Sequence, residues 1–62
     1  MTTQTPLSIL LVDDQILVRS GMASMIRQAL PEAEVRVSGS YAEATAMLAE
    51  RPAAVAFLDY NL

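Results

Sequence analysis

Asp13 and Asp14 close a short apolar run, Leu7 to Val12, and Asp59 closes another, Ala54 to Leu58. If both runs are strands of one sheet joined by crossover helices, three carboxylates meet in one small volume. Like charges a few ångströms apart repel, so such a cluster calls for a compensating charge. A hard divalent cation held by oxygen ligands supplies it, which makes Asp13, Asp14 and Asp59 candidate ligands of a magnesium-type site. Each part has an ordinary reading: an Asp-Asp pair as a helix cap and turn, a lone Asp as the polar end of a strand. What points to metal is the repetition of acid at the end of two apolar runs.

The segments that must position these acids are legible from their periodicity. Leu7-Ser-Ile-Leu-Leu-Val12 is almost wholly apolar, as expected of a strand buried on both faces in a parallel sheet. From Gln15 the period becomes helical: Val18, Met22, Met25, Ile26 and Ala29 are expected to face the core, Asp14 to cap the helix, and Pro31 to lie beyond its end. Gly21 inside this helix suggests close packing against the sheet. Glu34 to Ser38 alternates polar and apolar, the pattern of a strand with one buried face. Ser40 and Glu43 have capping-box spacing ahead of an alanine-rich helix whose Tyr41, Ala44, Met47 and Leu48 are expected inside and which Pro52 ends. Ala54 to Leu58 reads as a second strand buried on both sides.

The order is therefore β-α-β-α-β. Parallel crossovers are right-handed in nearly all cases. With the two helices on opposite faces, the alternating strand becomes the edge and the order is 2-1-3, a doubly wound parallel α/β sheet. The switch point between strands one and three lies at their carboxyl ends, where open α/β sheets bind ligands. All three aspartates end there.

Bulk properties narrow the classes. Sixty-two residues make one small unit, and 53% hydrophobic against 18% charged residues is a globular balance. A net charge of −3 without a basic run speaks against binding nucleic acid or anionic membrane through this segment. There is no cysteine, hence no disulfide or thiolate site. The N-terminus lacks the charged flank of a signal peptide and the following apolar run is too short for a membrane span, so a cytoplasmic location is expected. The methionines read as core filler, and Arg19, Arg27, Arg36 and Arg51 as solvated faces or helix-end charges. Tyr41 reads as partly buried with an exposed hydroxyl. The two glycines form no phosphate-cradling loop.

Ile9-Leu-Leu-Val-Asp-Asp14, the helix after it, and Val55-Ala-Phe-Leu-Asp-Tyr-Asn-Leu62 resemble the first half of a response-regulator receiver domain. The resemblance implies a module of two-component phosphorelay signal transduction, not an enzyme, that a sensor histidine kinase phosphorylates on aspartate. It implies Asp59 as phosphoacceptor, Asp14 as a direct Mg²⁺ ligand, Asp13 as a ligand largely through water, and the Asn61 backbone carbonyl as a further ligand. Residues 1–62 then form an incomplete receiver domain, its flavodoxin-like sheet truncated to the first three strands and two helices. Asp13-Asp-Gln-Ile-Leu-Val-Arg-Ser-Gly21 is further similar to receivers that drive a helix-turn-helix output domain, which implies transcription regulation, with DNA contacted through a domain outside this segment. The family also uses a later Ser or Thr and a later Lys, and this chain contains no lysine.

Two other readings stay open. A Mg²⁺-dependent phosphatase or phosphotransferase of the haloacid-dehalogenase type also uses an aspartyl nucleophile. It requires Asp-x-Asp-x-Thr after its strand, and neither Asp13-Asp14-Gln15 nor Asp59-Tyr60-Asn61 provides that. The third reading is a vestigial fragment that only folds or dimerises. An apolar third strand without its usual neighbour leaves an unpaired edge, so the 62-residue chain is expected to dimerise through strand three, swap elements with a partner copy, or aggregate.

Overall fold

A computed structural model describes residues 7–59. The elements are β1 (Ser8–Val12), α1 (Ile16–Ala29), β2 (Glu34–Ser38), α2 (Tyr41–Glu50) and β3 (Val55–Leu58). All three strands are parallel, in the order β2-β1-β3, as the handedness argument expects. Ser8 to Val12 run beside Glu34 to Ser38 on one side, while Ile9 to Val12 run beside Val55 to Leu58 on the other. No helix among the described residues is long and apolar enough to cross a membrane.

The core is β1. Ile9, Leu10, Leu11 and Val12 are all buried. Leu10 and Val12 meet Ala44, Met47 and Ala53 on the α2 side, so strand alternation turns Ile9 and Leu11 to the α1 side. Both helices lie over β2 and β1, and neither covers β3. The expectation that β3 is buried on both faces is therefore corrected: its four residues are exposed, because the covering layers are shifted toward β2.

The same shift corrects the reading of α1. Ala23 is its buried residue, flanked by half-buried Arg19 and Ile26, whereas Val18, Met22, Met25 and Ala29 are exposed. That stripe lies to one side of the sheet-facing line, and its Val18 and Met22 border an open groove with Phe57 and Leu58 of β3. Gly21 is not a packing contact, since a Cβ there would meet nothing within 4 Å. Asp14 does not cap the helix. Gln15 holds the N-cap position without a side-chain hydrogen bond, and it is Asp13 Oδ1 that accepts from the Gln15 N–H at 2.8 Å.

Helix α2 starts as its sequence indicates: Ser40 Oγ accepts from the Glu43 N–H at 3.1 Å. The reciprocal half of the box is replaced, because the Ser40 N–H donates to Ser38 Oγ at 3.3 Å. Ala44 is buried and Met47 partly so, while Tyr41 and Leu48 stay exposed. On β2 the burial does not alternate cleanly: Val37 is exposed, and Arg36 is tucked in with a side chain only 13% exposed. Arg36 donates to Ser8 Oγ and to the Pro52 carbonyl and sits 3.6 Å from Glu34, which also pairs with Arg51 at 2.6 Å. Its long stem covers apolar surface while its head ties three elements at the amino end of the sheet.

Candidate functional site

The parallel register brings the acids together. Asp13 and Asp59 are each the residue after a paired strand position, Val12 opposite Leu58, so they leave the sheet side by side at its carboxyl edge. Backbone bonds fix both exits: the Asp13 N–H donates to the Ser38 carbonyl at 3.0 Å, and the Asp59 N–H to the Val12 carbonyl at 3.1 Å. Each of Asp13, Asp14 and Asp59 offers a carboxylate oxygen within 4.8 Å of the other two. Asp13 is buried, Asp59 half-buried and Asp14 exposed. The floor of the cluster is thus rigid and its mouth is open to water.

Oxygens bound to one octahedral Mg²⁺ at ~2.1 Å lie about 3 to 4 Å apart, a spacing that the 4.8 Å span of this cluster only modestly exceeds. The donors are all hard oxygens with no nitrogen or sulfur among them, which suits Mg²⁺, Mn²⁺ or Ca²⁺ rather than a soft metal. Asp13 Oδ1 is already engaged with the Gln15 N–H, which leaves its other oxygen for a ligand or a bridging water. Asn61 lies outside the described residues. The remaining candidates, Asp13, Asp14 and Asp59, are brought into one cluster.

Two residues join the site that sequence reasoning assigned elsewhere. Arg19, read there as a solvated charge, donates from Nη1 to the Asp13 carbonyl at 2.9 Å. It comes from the sheet-facing line of α1, four residues before buried Ala23, and that spacing is the sequence signal for it. A Cβ on Gly39 would stand 2.7 Å from Arg19 Nη1, so the bare glycine leaves room for the guanidinium. Tyr41, at the start of α2, donates its hydroxyl to the Asp59 carbonyl at 3.0 Å. Thus α1 clamps the backbone of one acid and α2 that of another.

Beside the acids, on the α1 face, runs an open groove of about 430 Å³, lined in part by Leu11, Val18, Met22 and Phe57. Asp13 and Asp59 sit among its lining residues. The site is therefore a charged rim on an apolar trough.

No family model, no curated protein and no solved structure matches the chain.

Proposed function

We propose that this chain is the acceptor half of a receiver module: Asp59 takes a phosphoryl group from a histidine kinase or a small acyl phosphate, with Mg²⁺ held by Asp13, Asp14 and Asp59. The observation that carries the reading is the convergence of the three carboxylates at the carboxyl ends of β1 and β3, the switch point of a doubly wound sheet. The resemblance of Ile9–Asp14 and Val55–Leu62 to receiver domains supplies the rest.

A carboxylate oxygen of Asp59 attacks phosphorus as the bond to the donor's nitrogen or acyl oxygen breaks; the donor leaves with that electron pair and an aspartyl phosphate remains. Asp59 suits the nucleophile's part because it ends a strand with its backbone held at both the N–H and the carbonyl. Asp14, exposed at the rim, suits the metal's outer anchor, and Asp13 the rigid inner one. Mg²⁺ at these oxygens would neutralise charge on the transferring group, which is most of what phosphoryl transfer needs from its surroundings.

The test is labelling by a small acyl phosphate with Mg²⁺, read by intact mass. Because the chain has no lysine to pair with the phosphoryl group, labelling of the 62 residues alone is expected to be slow. It is expected to be fast when a receiver's second half completes the fold. In that completed form, Asp59→Asn should abolish the label with the fold unchanged, and Asp14→Ala should slow it without moving it. Full labelling of Asp59→Asn refutes the assignment. Steady hydrolysis of a generic phosphomonoester would instead favour a phosphatase.

A further inference from the structure

We infer that Tyr41 is a positioning residue of the acid site. Its hydroxyl fixes where Asp59 stands relative to Asp13, so Mg²⁺ binding depends on it more than Ca²⁺ binding does. The inference rests on the metal reading above and adds what tunes that site. An aspartate has two side-chain torsions, so a backbone held on both sides leaves its carboxylate little room to wander. The Asp59 N–H is held by the Val12 carbonyl at 3.1 Å, and the Asp59 carbonyl accepts from the Tyr41 hydroxyl at 3.0 Å. The first bond continues the strand ladder, while the second comes from outside the sheet. Neither helix packs on β3 itself, so the phenol carries the hold of α2 across to the end of that strand.

Tyr41 is itself firmly seated. It is the first residue of α2, whose start is capped by Ser40, and its own carbonyl accepts from the Thr45 hydroxyl at 2.8 Å. Ser38 Oγ donates to the Ser40 carbonyl at 2.8 Å, and the Ser38 carbonyl accepts from the Asp13 N–H at 3.0 Å. One short stretch, Ser38 to Tyr41, therefore grips the backbones of both Asp13 and Asp59. None of its residues is a candidate ligand, so the gap between the two acids is set from outside the site. Such preorganisation matters in proportion to how strict the bound ion is. Mg²⁺ demands near-ideal octahedral geometry at ~2.1 Å, whereas Ca²⁺ accepts roughly six to eight oxygens at longer and more variable distances.

The test is titration of the chain and of Tyr41→Phe with Mg²⁺ and with Ca²⁺, read from the amide shifts of Asp13, Asp14 and Asp59. Tyr41→Phe removes one oxygen and keeps the ring. Its Mg²⁺ affinity should fall about threefold to tenfold, the equivalent of one net hydrogen bond, while Ca²⁺ affinity changes by less than about twofold. A hydroxyl that served only the fold would move both affinities alike or neither. An unchanged Mg²⁺ affinity therefore overturns the inference, and so does a Ca²⁺ loss as large as the Mg²⁺ loss. A Tyr41→Phe chain without a dispersed amide spectrum also overturns it, because the hydroxyl is then structural. If the unsubstituted chain binds neither ion, the metal reading itself fails and takes the inference with it.

Discussion

β1, at the centre of the sheet, and β3, at its edge, are both strongly apolar strands, yet they differ in what holds them. Around β1, helices cover both faces, and arginines from α1 and β2 tie the ends: Arg19 to the Asp13 carbonyl, Arg27 to the Val35 carbonyl, Arg36 to Ser8 and Pro52. Around β3 there is a ladder to β1, the Tyr41 bond at its end, and exposed Val55, Phe57 and Leu58. The acids straddle this boundary, with Asp13 buried on the covered side and Asp59 half-buried on the bare one. An apolar strand is thus not protected by its own composition. It is protected by what the chain lays over it.

The sharpest way to break this contrast is to cut one large side chain from each strand. Leu10 is fully buried, and Leu10→Ala should cost about 2–5 kcal/mol. A core this small rarely supplies more than ~3–5 kcal/mol in all, so that variant should be unfolded at room temperature by circular dichroism. Phe57 is 44% exposed, and Phe57→Ala should leave the chain folded, with a loss of roughly 1 kcal/mol in urea melts. If both variants unfold, or neither does, the contrast fails.

A smaller effect probes the clamp between α1 and the site. Gly39→Ala pushes a methyl into the Arg19 guanidinium and should cost on the order of 1 kcal/mol by breaking its bond to the Asp13 carbonyl. Once Arg19→Ala has removed that bond, the glycine change should cost almost nothing, which a double-mutant cycle measures. The smallest expected effect has the opposite sign. Gly21 faces open space on α1, so Gly21→Ala should stabilise by up to about 1 kcal/mol, raising the urea midpoint. Destabilisation there would restore the close packing that the sequence alone suggests.

The order of elements was legible from local signals: apolar runs, a change of period, and Ser40 ahead of Glu43. The strand order and the acid cluster followed once the handedness of parallel crossovers was added to acids at strand ends. Which apolar residues end up covered was not legible. Val18, Met22 and Met25 have the spacing of a core stripe, but where that stripe points depends on how α1 is rotated and displaced over the sheet, a tertiary property no helical period contains. Capping by Asp14 failed for a related reason. Asp13 and Asp14 both precede the helix, and the one buried beside β2 took the local amide bond. Arg19 and Arg36 look solvated from sequence because a charged head says little about where its long stem lies.

The central claim is that Asp13, Asp14 and Asp59 act as one metal site at the boundary between the two strands. Titration with Mn²⁺, followed by amide NMR of the chain, tests it most directly. The account predicts that signals of these three residues broaden first, while Ser8, Glu34 and Arg51 at the far end of the sheet stay sharp. It further predicts that broadening fades as pH falls, since the ligands must be deprotonated to bind. Mn²⁺ that leaves the three aspartates sharp, or that broadens the Glu34 end first, would contradict it.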